Sequence, residues 1–310
     1  MKVYDFSQFK VWCSEIYSLL SMPKGVTRPS KQDIKKYDRL INSPDEKDET
    51  DLEFLRKFDE KILTYNDPPL SKTTISAIIR RYGWLVYNKK VAQRGDALSF
   101  LKKGTDMEEE AAQLLSKIDR EKYHLQTETI ENDFLVGRCD IFCPDKDKII
   151  DTKISWNVNA FLRARTTKVS PKHWYQVQGY MELYNVSEAE IVFLLLNTPP
   201  ELIEREKIKL LNRFMIGEID REKYELDMEN IESAFTYSNL PIKRRYFRYK
   251  IKREPQIFEN VYKKVEKSRI WMQEFEKEIG TNIFVVPSEN YLKTEENNPE
   301  SDSAESLPSD

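Results

Sequence analysis

The chain has 310 residues, of which 39% are hydrophobic and 12% aromatic, and this composition fits an ordered globular protein of one large domain or two small ones. No apolar run approaches the roughly 20 residues that a membrane-spanning helix needs, and the N-terminus lacks the apolar core of a signal peptide, so we expect neither a membrane protein nor a secreted one. Three cysteines are too few for a disulfide framework and favour a reducing cytoplasm.

The net charge of −3 is unevenly distributed along the chain. Residues 287–310 contain seven acids and one lysine, a balance of −6, so that removing them from the total of −3 leaves +3 for residues 1–286. We therefore predict one mildly basic folded domain over residues 1–286, followed by an acidic, disordered and solvating tail over 287–310. A tail that mimics nucleic acid and shields a groove is the alternative.

The N-terminal part of the chain is predicted to be helical. Apolar side chains recur at helical spacing in residues 5–21, at Phe9, Cys13, Ile16 and Leu20. Residues 42–61 are acid-rich, which indicates a solvated helix or a charged insertion. Ser71 is predicted to cap the next helix, which runs through Ile75 to Tyr82.

A further helix is predicted from Gly104 to Ile118. Its apolar stripe is formed by Met107, Ala111, Leu114 and Ile118. Glu108 lies on the flank of this stripe, where a carboxylate can be half-buried and face a sheet. The alternative is that Glu108 and its acidic neighbours only favour the start of the helix, where the helix dipole stabilises acids.

Three strands are predicted next, at about 124–131, 134–143 and 148–154, with a polar hairpin loop after Pro144. Pairing of the last two strands brings Asp140 close to Asp151 and Lys153. Residues two apart on a strand point to the same face, so Asp151 and Lys153 share one. Two carboxylates and one ammonium make a site for a divalent metal and a polarised water. A purely structural ion pair is the alternative.

Basic residues follow this strand. Arg163, Arg165 and Lys168, interleaved with Trp156, either hold phosphates or form an ordinary solvated loop. A helix from His173 to Tyr184 then places Gln176 and Tyr180 on a shared face, because they are four residues apart. His173 and His124 are interpreted as structural or exposed, since neither is near a nucleophile in the pattern.

The C-terminal part is predicted to complete a mixed sheet. Residues 189–197 are the most apolar run and indicate a central buried strand, reached by a right-handed crossover. Residues 243–253 alternate between apolar and basic side chains, with Arg248, Lys250 and Lys252 on one face. That face either lies along DNA phosphates or protects an edge strand from aggregation. A long amphipathic helix is predicted over residues 255–279.

Four motifs in this order resemble the signature of the PD-(D/E)XK nucleases. They are Gly104-x-x-x-Glu108, Gly137-x-x-Asp140, Asp151-x-Lys153 and Gln176-Val-Gln178 with Tyr180. The last is similar to a motif of the branch that contains lambda exonuclease, RecB-type nucleases and YqaJ-type viral recombinases. The resemblance implies a restriction-endonuclease-like α/β fold, with a mixed β-sheet core flanked by helices, and makes residues 1–286 a single nuclease domain.

The resemblance also implies roles for individual residues. Glu108, Asp140 and Asp151 would bind one or two Mg²⁺ or Mn²⁺ ions, because hard hydrated cations prefer oxygen ligands. Lys153 would orient and help to deprotonate the attacking water or stabilise the transition state, and Gln176 would help to hold the substrate or a water. DNA contacts would come from Gln178, Tyr180, Arg163, Arg165, Lys168 and Ser14. Relatives often place an arginine just before the segment that contains Ser14, where this chain has Trp12.

The function that these resemblances imply is metal-dependent hydrolysis of linear duplex DNA from an end, leaving five-prime phosphates. A phage or prophage exonuclease of the bacterial cytoplasm is expected, with a single-stranded product for an annealing protein and with a trimer as a plausible assembly. An endonuclease of the same superfamily would share the site and differ in cutting closed circles. A non-catalytic DNA-binding protein would bind DNA without a divalent metal.

Overall fold

The computed structural model describes residues 4–88 and 97–279 of the chain. The predicted acidic tail, 287–310, lies outside the described residues and stays a prediction. Within these ranges no helix is both long enough and apolar enough to span a membrane.

A small sheet of three short strands lies close to the N-terminus. Its strands are β1 (Val11–Trp12), β2 (Ile130–Glu131) and β3 (Leu135–Gly137), in the order β1-β3-β2. The central strand β3 pairs with β1 in parallel and with β2 in antiparallel orientation. A segment near residue 11 and one near residue 135 are thereby joined, which no local pattern in the sequence indicates.

The larger sheet has four strands and carries the candidate site. They are β4 (Ile141–Cys143), β5 (Lys148–Ile154), β6 (Glu188–Leu194) and β7 (Tyr246–Lys252), in the order β4-β5-β6-β7. The β4–β5 and β6–β7 pairs are antiparallel, and the β5–β6 pair is parallel. The predicted hairpin, the crossover and the mixed α/β fold class are therefore confirmed.

Eleven helices of the described residues surround the sheets. In chain order they are α1 (Ile16–Leu19), α2 (Lys31–Asn42), α3 (Glu49–Asn66), α4 (Lys72–Tyr87), α5 (Ala97–Asp106), α6 (Glu108–Asp119), α7 (Val158–Thr166), α8 (Pro171–Tyr184), α9 (Pro200–Met215), α10 (Arg221–Ala234) and α11 (Ile257–Glu278). Side-chain caps begin several of them, as predicted for α4, where Ser71 Oγ accepts a hydrogen bond from the Thr74 amide at 3.0 Å.

The larger sheet is covered on both faces, and its strands alternate between two cores. Ile149 packs in the core that contains α8 and α11, with Val177 and Val261. Ile150, the next residue, packs in the core that contains α6, with Leu115. Because side chains alternate along a strand, Asp151 and Lys153 point to the side of Ile149 and therefore toward α8.

Five predicted elements differ from the structure, four of them in their bounds or type. The helix predicted over residues 5–21 is α-helical only at Ile16–Leu19, because Val11 and Trp12 pair with β3. The strand predicted at 124–131 is reduced to Ile130–Glu131. The helix predicted from Gly104 begins at Glu108, after buried Met107 separates it from α5. The basic loop after Trp156 contains α7, whose start is capped by the Asn157 side chain.

The fifth difference concerns the strand predicted at 134–143, which is broken into β3 and β4. Gly137 ends β3 in a crowded position, where an added Cβ would lie 2.8 Å from Cys13 Sγ and 2.9 Å from Tyr180 Cε1. Only a residue without a side chain fits between these groups. The chain leaves the small sheet at this point and joins the larger one at Ile141, and the candidate acid Asp140 lies in the connection.

Candidate active site

Asp140 is fixed by hydrogen bonds to the neighbouring strand. Ile141 pairs with Ile150, which places Asp140 beside Asp151. Its Oδ2 accepts hydrogen bonds from the main-chain amide and from the hydroxyl of Thr152, both at 2.6 Å. Burial, followed by the charge of Asp151, raises the pKa of Asp140 to about 6, against the opposing effect of Lys153 and the Thr152 hydrogen bonds. The orientation of the carboxylate is therefore fixed, but its ionised form is unfavourable unless a cation lies nearby.

Asp151 and Lys153 form an ion pair on the face of β5 that points to α8. Asp151 is 1% exposed, and its Oδ2 lies 2.7 Å from Lys153 Nζ. The same Oδ2 has no partner with hydrogen-bond geometry among the described residues. A buried carboxylate oxygen in this state is an acceptor that a cation can satisfy.

Lys153 keeps its proton in this environment. Burial alone lowers the pKa of a lysine, but the carboxylates of Asp151, Asp140 and Glu108 outweigh burial, and the pKa of Lys153 is raised above its ordinary value. The side chain is partly exposed, so that its ammonium can reach a ligand. In this state Lys153 is a positive charge and a hydrogen-bond donor.

Glu108 lies at the edge of the same electrostatic cluster. It is the first residue of α6 and is half-buried, and its carboxylate is 3.8 Å from Arg138 Nη2. Burial and then the charge of Asp140 raise the pKa of Glu108, while Arg138 and Lys153 oppose this rise. The three acids predicted from the sequence are thus close enough to influence each other's ionisation in a chain from Glu108 through Asp140 to Asp151.

Gln176 and Tyr180 extend the site on α8. Lys153 Nζ donates a hydrogen bond to Gln176 Oε1 at 3.3 Å, and Gln176 Nε2 donates one to the Tyr180 hydroxyl at 2.9 Å. The helical spacing of four residues makes the second bond possible. The Tyr180 ring also packs against Gly137, and this chain of contacts fixes the position of the Lys153 ammonium relative to the two aspartates.

The structure does not bring Gln178 to this site. Its side chain is fully buried, and it donates a hydrogen bond to the Lys252 carbonyl at 2.8 Å and accepts one from the Glu254 amide at 2.9 Å. Gln178 therefore joins α8 to the end of β7. The period of the helix already separates Gln178 from Gln176 and Tyr180, and the need to satisfy main-chain groups at the end of a strand explains an amide at this position.

The other predicted DNA contacts lie at the surface. Arg163 and Arg165 are exposed on α7, Lys168 follows that helix, and Ser14 is exposed in the turn after β1. Trp12, which stands where relatives often have an arginine, has the Arg81 guanidinium 5.9 Å from its ring, and Arg81 also lies 3.9 Å from the ring of Trp84. A guanidinium is thus present beside Trp12, but α4 supplies it.

Two residues that contact the candidate site were not identified from the sequence. Thr152 anchors Asp140, and the sequence signal was its place between Asp151 and Lys153 on the opposite face of the strand. Arg138, one residue after Gly137, approaches Glu108. Arg138 lies in the connection between the two sheets. The sequence pattern predicts one continuous strand over this segment and therefore does not indicate the connection.

The residues present fit a hydrated Mg²⁺ or Mn²⁺ ion that the substrate helps to bind. Among residues 4–88 and 97–279, no three carboxylates, imidazoles or thiolates are arranged to hold a metal by themselves. Mg²⁺ usually keeps several waters and is bound by one or two carboxylates together with substrate phosphates. Asp140 and Asp151 supply such oxygens, and buried Asp151 Oδ2 has the Lys153 ammonium at 2.7 Å as its charged neighbour.

No family model matches the sequence, and no curated protein matches it. Solved structures do match. A phage-related exonuclease from Haemophilus somnus 129PT is 21% identical, with a TM-score of 0.57 over 88% of this chain and 97% of that one. The alkaline exonuclease LHK-Exo from Laribacter hongkongensis is 12% identical, with a TM-score of 0.47 over 94% of each chain. LHK-Exo in complex with dAMP gives 11% identity and a TM-score of 0.47, over 93% of this chain and 96% of that one.

The first of these likenesses covers nearly the whole of both chains. The chain therefore has the fold of a phage-related exonuclease, the fold that its lambda-exonuclease-like sequence motifs predict.

Proposed function

We propose that this protein is a metal-dependent DNA nuclease, and more specifically an exonuclease that hydrolyses linear duplex DNA from an end. The observation that carries the proposal is the convergence of Asp140, Asp151 and Lys153, with Gln176 holding the lysine. The description of the phage-related protein that shares the fold as an exonuclease supports the choice of reaction.

Asp140 and Asp151 would hold the metal ion, with Glu108 as the third acid. Thr152 keeps one oxygen of Asp140 directed away from solvent, which leaves the carboxylate pre-oriented before the ion arrives. Bound Mg²⁺ or Mn²⁺ supplies a water of lowered pKa and neutralises charge on the leaving oxygen. The three acids repel each other when ionised, so that occupancy by a cation removes an unfavourable interaction within the folded protein.

Lys153 would act on the scissile phosphate as a charged donor. Because its pKa is raised, it enters the reaction as an ammonium and stabilises negative charge on the phosphoryl oxygens. Gln176 accepts a hydrogen bond from Lys153 and keeps the ammonium directed along α8. The raised pKa of Lys153 in the metal-free protein favours the role of a charged donor over that of a base. The attacking water, whose pKa a bound metal would lower, would then lose its proton more readily to solvent.

The test is digestion of linear duplex DNA beside a covalently closed circle of the same sequence, with Mg²⁺ and then with EDTA. Lys153→Ala should lower the rate by about 100-fold or more, while Lys277→Ala, which removes an exposed lysine near the end of α11, should leave it unchanged. Loss of the linear form alone, dependent on metal and on Lys153, is the expected result. Cutting of the circle would replace the exonuclease with an endonuclease, and no cutting of either substrate would favour a DNA-binding protein.

The biological setting that the resemblance implies is part of the same proposal. We expect five-prime phosphates at the cut ends and a single-stranded product that is passed to an annealing protein during phage or prophage recombination in the bacterial cytoplasm. A homotrimer is the assembly proposed for the nuclease. Sedimentation velocity measures the assembly, and a monomer at micromolar concentration would contradict this part without affecting the chemistry.

A further inference from the structure

A second concavity, of about 370 Å³, lies against α11 and is separate from the aspartates of the candidate active site. We call it the α11 pocket. Its walls include Tyr65, Tyr175, Asn260, Lys263, Lys264 and Lys267. Tyr175 directly precedes Gln176 on α8, so that one helix contributes residues to both the pocket and the candidate active site.

Lys264 is a buried cation of this pocket without a counter-ion. Its side chain is only 6% exposed, and its ammonium donates hydrogen bonds to the carbonyls of Pro68 at 2.9 Å and Pro69 at 3.0 Å. Within the described part of the chain, no carboxylate lies within ion-pair distance of it. Burial, followed by repulsion from Lys267, lowers the pKa of Lys264, and the attraction of Asp67 opposes this only in part. Buried charges in proteins are nearly always paired, which makes an anion the group that this pocket lacks.

The other two lysines of the pocket have acid partners, so that Lys264 is left as the unmatched charge. Lys263, Lys264 and Lys267 line the pocket together with a single carboxylate, Asp67, which is 2.5 Å from Lys267 Nζ. Lys267 also donates to the Pro68 carbonyl at 3.1 Å, and this contact keeps the ammonium at the wall. Lys263 is itself paired with Glu259 at 2.7 Å. The net positive charge of the pocket therefore comes from Lys264, inside a concave surface where screening by water is weakened.

The rest of the lining suits an aromatic ring with polar edges. Tyr65 and Tyr175 are joined by the apolar side chains of Leu20, Met22 and Ile257. Asn66 and Asn260 add amides that both donate and accept hydrogen bonds. A flat base can stack on a tyrosine while its phosphate meets the lysines, and this division into an aromatic part and a cationic part is the way proteins hold single nucleotides.

We propose that the α11 pocket binds one nucleotide, with its phosphate on Lys264 and Lys267 and its base against Tyr65 and Tyr175. The nucleotide is either a free mononucleotide or one unit of a single strand, since the chemistry of recognition is the same. The choice of a nucleotide among anions rests on the proposed nuclease function. The pocket would then retain product beside the site that releases it.

The direct test is calorimetric titration in EDTA of the Lys153→Ala protein, which weakens binding at the candidate active site. Thymidine 5′-monophosphate, thymidine and a short oligothymidylate without a terminal phosphate are the three probes. Lys267→Gln and Lys264→Met are added in turn, with Lys277→Gln as the control, because Lys277 is an exposed lysine of the same helix outside the pocket. The Lys267→Gln variant keeps the test valid if loss of buried Lys264 prevents folding.

The expected result is that each pocket substitution weakens binding of the monophosphate or the oligonucleotide by roughly tenfold. Thymidine should bind weakly in every variant, and Lys277→Gln should behave as its parent. An effect on the monophosphate identifies a free nucleotide as the ligand, and an effect on the oligonucleotide alone identifies a strand. Equal binding of both phosphate-containing probes to the pocket variants and to Lys277→Gln would overturn the inference.

Cleavage of linear duplex DNA with Mg²⁺ separates failure of this inference from failure of the proposed function. If the wild type cleaves DNA and the pocket variants bind the nucleotide probes unchanged, the proposed pocket is refuted and the proposed nuclease function is not. If nucleotide binding depends on Lys267 but the protein does not cleave DNA, the proposed pocket is supported and the proposed nuclease function is refuted.

Discussion

Replacing Asp140 with asparagine should stabilise the metal-free protein at neutral and alkaline pH while it abolishes cleavage. The folded protein holds this carboxyl at a pKa of about 6, against an ordinary value of 3.8. That gap corresponds to about 3 kcal/mol, at about 1.4 kcal/mol for each pH unit. Asparagine has the shape of the protonated acid, and its carbonyl oxygen can accept both hydrogen bonds from Thr152, so the variant avoids this cost.

The sign of the effect depends on pH. Below the unfolded pKa of 3.8 both states of the wild type are protonated, and above the folded value of about 6 both are ionised. Between the two values the folded state binds more protons than the unfolded state, so the wild type loses stability as pH rises. The advantage of Asp140→Asn should therefore be small near pH 4 and should grow to roughly 3 kcal/mol by about pH 8.

Urea unfolding in EDTA, followed by tryptophan fluorescence, measures this difference. Asp133→Asn is the matched control, because it removes an exposed acid close in sequence and should change the free energy of unfolding by less than about 0.5 kcal/mol. Added Mg²⁺ should stabilise the wild type more than Asp140→Asn, since the ion binds the folded carboxylates. A variant less stable than wild type at alkaline pH, or an advantage that does not shrink in acid, would refute the reasoning.

Three further substitutions test packing and buried charge. Gly179→Ala should destabilise the fold by about 1–3 kcal/mol, because its Cβ would lie 2.9 Å from Cys13 Sγ. Gly83→Ala is the control, since its Cβ would have nothing within 4 Å, and it should raise the free energy of unfolding by up to about 1 kcal/mol. Equal urea midpoints for the two variants would contradict this. Burial lowers the pKa of Lys103 in the folded protein from 10.5 to about 7, so the stability of the wild type should rise between these two pH values. Lys103→Met should remove this rise. An unchanged dependence of stability on pH in the variant would contradict the prediction. Arg248→Met should lower the free energy of unfolding by about 1–3 kcal/mol, because buried Glu190 loses one of its two cations and keeps Lys148 at 3.0 Å. A loss below about 0.5 kcal/mol in urea unfolding would show that the pair is effectively solvated.

The larger sheet was predictable because its signal is local. Period-two alternation fixes which of Ile149 and Ile150 enters which core, and the same rule places Asp151 and Lys153 together. A polar loop after Pro144 then fixes the hairpin, and the hairpin brings Asp140 to Asp151. This part of the candidate site therefore follows from about 20 consecutive residues, without knowledge of the rest of the fold.

The small sheet and the break at Asp140 were not predictable in this way. The end of β3 requires a glycine at position 137 because Cys13 and Tyr180 occupy the space of a side chain, and both lie far away in the sequence. A pattern read within residues 134–143 favours one continuous strand, since its apolar residues suit either arrangement. The connection that carries Asp140 is thus a product of tertiary packing.

The basic face of β7 shows the same limit for charge. Alternation predicts that Arg248, Lys250 and Lys252 share a face, available to DNA phosphates or to solvent. In the structure Arg248 is bound to Asp119 at 2.9 Å and to Glu190 at 2.8 Å, and Glu190 also pairs with Lys148 at 3.0 Å. The partners come from α6 and two other strands. Arg248 therefore stabilises the sheet, and a strand pattern alone cannot distinguish a cation with such partners from a free one.

Three lysines show why the partners of a buried charge, more than its burial, decide what it can do. Lys153 faces carboxylates, and its pKa is raised. Lys103 is hydrogen-bonded to the Trp156 carbonyl and the Thr198 hydroxyl, and Lys264 to two carbonyls, and burial lowers the pKa of both. A carbonyl satisfies the hydrogen bonds of an ammonium but not its charge. Lys153 is therefore positive before any substrate binds. Lys264 lines a pocket, and its charged form becomes more favourable when an anion binds there. The cleavage experiment tests the first lysine and the titration tests the second.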